Sequence, residues 1–265
     1  MRVLEKRVMM LFMLAAILLY CVPKPTTARL CHRRPQKGKK IISVSVFGHN
    51  EKYYTNLQAI AASVERLFGD GWILRIYTDA VDRLPPLLRA EVVDMTNVSF
   101  PVPANGRVWR FLPALDRTVG VFLSRDTDNA MIARDRDAVF EWLYNTSYEC
   151  HVMRDHPMHK WPMMGGMWGF RGQRDLFLEQ QFRQLIYSRA TNYLADQQNL
   201  KRLVWPHVCC LAHDAYSCGE FEDSRTLPFP TQRDSDGSGV GVPKGSESRR
   251  ECPLRCRRHP SWNKC

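Results

Sequence analysis

Residues 41–47 (I-I-S-V-S-V-F) form an apolar, β-branched run that stops at Gly48-His49-Asn50, as a buried parallel strand stops at a loop. Leu57, Ile60, Ala61, Val64, Leu67 and Phe68 then recur at helical spacing, and Gly69-Asp70-Gly71 ends that pattern. A second apolar run, 72–77, leads to Thr78-Asp79. Strand, helix and strand within about 35 residues make a β-α-β module. This unit commits the chain to an α/β fold with a mostly parallel sheet flanked by helices.

The pattern continues downstream. Residues 92–95 predict a short strand and 97–106, with two prolines and a glycine, a loop. A short helix is expected over 109–116 and a strand over 119–123. Next come a helix over 134–144, a strand over 150–154, and helices over 174–185 and 193–203. Residues 231–250, rich in Ser, Gly and Asp, read as a flexible linker to a Cys-rich tail at 251–265. The folded domain is therefore placed at 41–230.

Charge excludes one class of partner. The net charge of +11 invites a nucleic-acid reading, yet residues 41–243 hold 21 basic against 24 acidic side chains. The basic excess lies on the flanks, so no nucleic-acid partner is expected.

Residues 1–7 carry Arg2, Lys6 and Arg7 ahead of an uncharged apolar run, 8–22, that ends at Pro23. Fifteen residues span about 22 Å as a helix, short for a typical membrane span and long enough for a secretory segment. The run is either a signal anchor or a cleaved signal peptide. In the first case 1–7 is cytoplasmic and 23–40 a basic stem, giving a single-pass type II membrane protein of the Golgi or ER lumen. In the second the protein is secreted. Of nine cysteines, Cys21 falls inside the run and eight remain, an even set that suggests disulfides in an oxidising compartment. Zinc on Cys252, Cys256, His259 and Cys265 is the alternative for the tail. Asn97-Val98-Ser99 and Asn145-Thr146-Ser147 are glycosylation sequons.

The string V-G-V-F-L-S-R-D-T-D-N, 119–129, is the most informative for chemistry. In open α/β sheets ligands sit beyond the carboxyl ends of the strands. Asp126 and Asp128 at such an end suit a divalent cation, which a nucleotide diphosphate needs as it leaves. Asp135-Arg136-Asp137 falls at a helix start and reads as capping, and Asp234-Ser235-Asp236 as solvated linker.

With these residues in view, the chain resembles the nucleotide-sugar glycosyltransferases of the GT-A fold over about 41–230. Asp196-Gln197-Gln198-Asn199-Leu200 resembles a segment of the glycogenin-like transferases, with Gln198 departing from the usual Asp. His213-Asp214 falls where those families place a metal-binding His. Arg154-Asp155-His156-Pro157-Met158-His159 and Gly165-Gly166-Met167-Trp168-Gly169 resemble a pattern of uncharacterised transferase-like proteins. The resemblance implies a single GT-A catalytic domain in which Asp126, Asp128 and His213 hold Mn²⁺ or Mg²⁺, with a lean towards retention of configuration.

The residues themselves add further candidates. Segment 154–170 combines His, Asp, Arg, Trp and Gly, too polar for a core helix. Trp161 and Trp168 offer faces for sugar rings, and Gly165 and Gly166 let backbone approach a ligand. Asp155 and Asp196 are assigned catalytic roles, against the alternatives of a turn or ion pair for Asp155 and a helix cap for Asp196. A His151-His156-His159 metal site is a further alternative. Gly48, Asn50 and Tyr53 follow the first strand, where base and ribose contacts form, and Arg110 and Arg125 are placed to offset diphosphate charge. The expected activity is sugar transfer from a nucleotide-sugar donor to a glycan or glycoprotein acceptor, with the membrane met through the N-terminal segment. The alternative is an inactive carbohydrate-binding or matrix protein on the same scaffold.

Overall fold

The computed structural model describes residues 36–87, 89–98 and 105–265. The segments expected at 1–7 and 8–22, and residues 23–35 of the expected stem, lie outside the described residues, while Lys39 and Lys40 of that stem already belong to the first strand.

An eight-stranded sheet forms the centre, in the order β3-β2-β1-β4-β6-β5-β7-β8. The strands are β1 (Lys39–Val46), β2 (Trp72–Thr78), β3 (Ala90–Asp94), β4 (Val119–Arg125), β5 (Cys150–Arg154), β6 (Met167–Arg171), β7 (Cys210–Asp214) and β8 (Arg225–Leu227). Only β6 runs antiparallel to its neighbours, so the mostly parallel α/β architecture expected from the sequence is present. Helix α1 (Glu51–Phe68) starts at Asn50, whose side chain accepts from the Lys52 N–H, and ends where Gly69 takes a positive φ of 73°. Its buried stripe, Leu57, Ile60, Val64 and Phe68, packs with Ile42, Val44 and Val46 of β1. Val139 and Trp142 of α2 (Ala133–Asn145) join that same layer.

The opposite face is covered by α3 (Leu176–Ile186), by a 3-10 segment at Gly106–Leu115, and by the chain after α4 (Ala195–Asn199). Phe111, Phe122, Trp168, Phe170 and Phe182 meet there in edge-to-face and stacked contacts. The stretch expected as a helix over 109–116 is thus a 3-10 segment containing Pro113. The helix expected over 193–203 is the short α4, widened into a π turn at Leu200–Val204.

Two expectations are corrected. Segment 154–170, read as offering tryptophan faces for sugar rings, ends in strand β6, wedged between β4 and β5. A Cβ at Gly169 would sit 2.7 Å from Leu123 Cδ2 and 2.9 Å from the Phe122 carbonyl, so that glycine permits close strand packing. Segment 231–250 is not a detached linker. Val240 and Val242 are buried, and Phe229, Val240 and the tail cysteines build a further small core on Met153 and Met167. Disulfides join Cys150 to Cys210 across β5 and β7, Cys218 to Cys256, and Cys252 to Cys265, and Cys209 is also disulfide-bonded. These cross-links bind the tail to the body and remove Cys252, Cys256 and Cys265 from any zinc site. Asp214, Cys218 and Cys256 bring ligand-type atoms within 4.8 Å of one another. Two of them form a disulfide and the third pairs with Arg154.

Candidate functional site

The chain order makes a switch point between β1 and β4. From β1 the connections step outward to β2 and β3 on one side, and β4 opens the other. Loops leaving the carboxyl ends of these two strands diverge there, which leaves a crevice. A cleft of about 430 Å³ occupies this place, lined by Ser45, Val46 and Phe47 at the end of β1 and by Asp126, Thr127 and Asp128 beyond β4.

Three anchors shape its floor. Ser45, buried on β1, accepts from the Arg110 N–H at 2.7 Å, which ties the 3-10 segment to the strand end. Ser124 of β4 donates to the Gly165 carbonyl at 2.6 Å. The antiparallel pairing of β4 with β6 sets Arg125 opposite Met167, so Gly165 and Gly166 arrive beside Asp126. A Cβ on Gly166 would collide with the Asp126 carboxylate, and one on Gly165 would lie 2.5 Å from both Arg110 Nη2 and Asp196 Oδ2. Both glycines are therefore required by close approach to acidic side chains, a finer role than general permissiveness.

Arg110 is the centre of the charge arrangement. Its guanidinium is buried, pairs with Asp126 through Nη1, and donates to Asp196 Oδ2 at 3.1 Å through Nη2. Burial opposes its charge, but Asp126 and Asp196 outweigh that and raise its pKa. Asp196 lies in the first turn of α4, nearly buried, with Oδ1 on the Gln197 N–H at 2.9 Å. Asp128 has no ion-pair partner among the described residues. Burial, with the adjacent negative charge of Asp126, raises its pKa from the ordinary carboxylate value, against the lowering effect of its own backbone N–H, Lys52 and Arg110. Gln197 Oε1 and Arg110 Nε are buried and unpaired, and both residues line the cleft. The cleft lining thus sets Arg110 and Arg107 against Asp126, Asp128 and Asp196, with Arg110 alone paired to two of the three carboxylates.

The expected site residues divide into two groups. Tyr53, Asp126, Asp128, Gly165, Gly166 and Asp196 line the cleft together. Six others are placed elsewhere. Gly48 sits in the turn after β1 at φ 72°, its N–H on Asp79 Oδ1 at 3.3 Å and its carbonyl on the Tyr54 hydroxyl at 2.9 Å. Asn50 serves as the α1 cap. Arg125 forks onto Asp135 at 2.8 and 2.9 Å, so Asp135 is an ion-pair partner rather than a cap and Arg125 has no charge left over. Trp168 is fully buried between Phe111 and Phe122, out of reach of a sugar.

Asp155 is fully buried and accepts from Arg134, Arg233 and the Val240 N–H. It is ion-paired, but with Arg134 and Arg233 rather than with the neighbouring Arg154 that the sequence offered, and Arg154 pairs instead with Asp214 and Asp223. His213 stands on β7, three places from β4, about 14 Å at ordinary strand spacing. Its Nδ1 meets His151 Nε2 at 2.8 Å and its Nε2 meets Glu141 at 3.0 Å. Burial lowers the pKa of both histidines and favours the neutral rings. With both nitrogens engaged, His213 has no lone pair left for a metal at Asp126 and Asp128.

Sequence reasoning missed Arg107, Tyr193 and Gln197, and missed Gly241 and Pro243 from the segment read as linker. Gln197 adjoins a named candidate. The others carried no local signal, because only long-range packing brings them to the cleft.

No protein-family model matches this chain, and no curated protein matches it. Among solved structures it is similar to a glycosyltransferase involved in the glycosylation of the major capsid of PBCV-1. The identity is 14% and the TM-score 0.42, covering 68% of this chain and 82% of that one.

Proposed function

We propose that the chain is a metal-dependent glycosyltransferase of the GT-A type, moving a sugar from a nucleotide-sugar donor to a glycan or glycoprotein acceptor. The observation that carries this reading is Asp128, a carboxylate without an ion-pair partner among the described residues, beside the Arg110-paired Asp126 at the carboxyl ends of the strands where the sheet order reverses. Burial first, and the Asp126 charge second, raise the pKa of Asp128, so its ionised form lacks the stabilisation that a hard divalent ion would supply. The donor set suits Mn²⁺ or Mg²⁺ held by Asp126 and Asp128, without His213. Such an ion supplies charge neutralisation on a departing diphosphate.

The remaining chemistry belongs to the side chains. Arg110 is positioned to pass from Asp126 to a donor phosphate, while Asp196 keeps the guanidinium aimed into the cleft. Gly165 and Gly166 leave room for the Arg110, Asp196 and Asp126 side chains to converge at the cleft. Tyr53 and Phe47 offer ring surface in the cleft, as does Tyr193, over whose ring the Arg107 guanidinium lies. Work in the secretory pathway, with the N-terminal segment in or passing through the membrane, agrees with the disulfides.

The second reading, a carbohydrate-binding protein without turnover, is favoured by one observation. Arg110 already neutralises Asp126, as it would in a site that works without metal. Incubating the purified chain with Mn²⁺ and a panel of nucleotide sugars, with and without EDTA, separates the two. Nucleotide release abolished by EDTA is expected. No release from any donor, with thermal stability unmoved by nucleotide plus metal, overturns the enzyme reading.

A further inference from the structure

Asp155 makes no contact with the cleft, yet one of its bonds leads there. Its carboxylate accepts from Arg134 at 2.9 and 3.0 Å, from Arg233, and from the Val240 N–H at 2.8 Å. Val240 belongs to a tight turn closed by the Val242 N–H on the Gly239 carbonyl at 3.2 Å, with Gly241 at φ 65°. Only a residue tolerant of positive φ fits there, and a Cβ at Gly241 would also meet Met167 Sδ at 2.6 Å.

This turn faces the acidic pair. Gly239, Val240 and Gly241 share a narrow recess with Asp126, Asp128 and Asn129, and Gly241 and Pro243 continue into the main cleft. The turn is clamped at two points. Asp155 holds Val240, and Asn129, directly after Asp128, donates its side-chain amide to the Val242 carbonyl at 2.7 Å. The clamp extends into the cysteine-bound tail. Arg134 donates to the carbonyls of Thr231 and Cys265, the Arg233 N–H donates to the Lys264 carbonyl at 3.2 Å, and Cys265 is bonded to Cys252.

We infer that Asp155 is a positioning residue: with Arg134 and Arg233 it fixes the 239–242 turn as a wall of the cleft beside Asp126 and Asp128. The C-terminal cap is then part of the ligand site. The ligand's identity rests on the nucleotide-sugar reading, while the clamp itself does not.

The test uses the full chain as wild type, Asp155→Asn and Asn129→Ala. Amide hydrogen exchange is followed over 239–243, and affinity is titrated for Mn²⁺ with uridine, guanosine or cytidine diphosphate. Both variants are expected to exchange about 10-fold faster at 239–243 while β1 and β4 in Asn129→Ala keep the wild-type rate. The affinity of whichever diphosphate binds wild type falls about 10-fold, and with an active donor KM rises while kcat stays within about 3-fold. Unchanged exchange at 239–243, or faster exchange with unchanged affinity, overturns the inference. If Asp155→Asn does not fold, Asn129→Ala decides. If wild type binds none of the diphosphates, the donor reading fails and exchange alone decides. Protection at 239–243 that Asn129→Ala releases then supports the clamp, and its absence in wild type overturns it.

Discussion

Of the arginine–carboxylate clusters among the described residues, the one around Asp155 and the one around Arg110 have opposite charge balance. Around Asp155, two guanidiniums face one carboxylate, four donor groups fill it, and no water reaches it. Around Arg110, one guanidinium faces Asp126 and Asp196, with Asp128 alongside and a cleft open above. The difference is one of partner count. A carboxylate whose lone pairs are all taken by fixed donors is a structural tie, and its removal strands buried positive charge. Where carboxylates outnumber fixed cations at the edge of a cleft, there is place for the divalent cation that the proposed function calls for.

That contrast is open to breakage at four points, from the largest expected effect to the smallest. Asp155→Asn leaves Arg134 and Arg233 without their counter-charge, so unfolding in urea should show a loss of about 3–5 kcal/mol. Wild-type stability in that variant would remove the structural half of the comparison. Next is pH. Burial pushes the His159 imidazole down to about 4, and its Nδ1 accepts the Asp155 N–H at 3.0 Å. An unfolded histidine titrates near 6.5, so the unfolded state binds more protons between those values and stability falls as pH drops from about 6.5 to about 4. The loss is about 3 kcal/mol from this group alone. His159→Gln should flatten that slope in thermal melts, and an unaltered slope would count against it.

Asp128→Asn comes third. It should cut Mn²⁺-dependent nucleotide binding about 100-fold or more, roughly 2.7 kcal/mol. Melting temperature should hold or rise, since a raised pKa means that the ionised carboxylate strains the fold. A drop in stability with intact binding would reverse its assignment. Last, Gly166→Ala obliges the Asp126 carboxylate to swing aside. Calorimetry should show about a 10-fold weaker cation-dependent affinity, near 1.4 kcal/mol, with the fold retained. Equal affinity would show that Asp126 has freedom to spare.

Much of the fold was legible. Strands β1, β2 and β4 are buried on both faces and therefore read as continuous apolar runs, and α1 shows its stripe because one face alone is buried. Strand β6 was hidden because Gly169 and Trp168 are chosen by packing against Leu123 and Phe111, contacts far away in sequence. Segment 231–250 deceived for a related reason. Its Ser, Gly and Asp content signals turns, and only the buried Val240 and Val242 reveal that those turns are packed.

The site followed the same division. Asp126 and Asp128 were readable because a strand end is a local event, and Asp196 because it stands in a recognisable string. Their meeting through Arg110 was not, since 86 residues separate Arg110 from Asp196. Asp155 and His213 were credible by residue type and were reassigned by position. Asp155 is enclosed by two arginines that no spacing foretold, and His213 is carried by the strand order three places from β4. By itself the sequence determined the elements and the acidic pair at a strand end, because backbone periodicity and strand termini are written in neighbouring residues. The tertiary structure alone decided which charges are neutralised and which are left facing a cleft, because each partner is supplied by a distant segment and a carboxylate's chemistry is set by its partners.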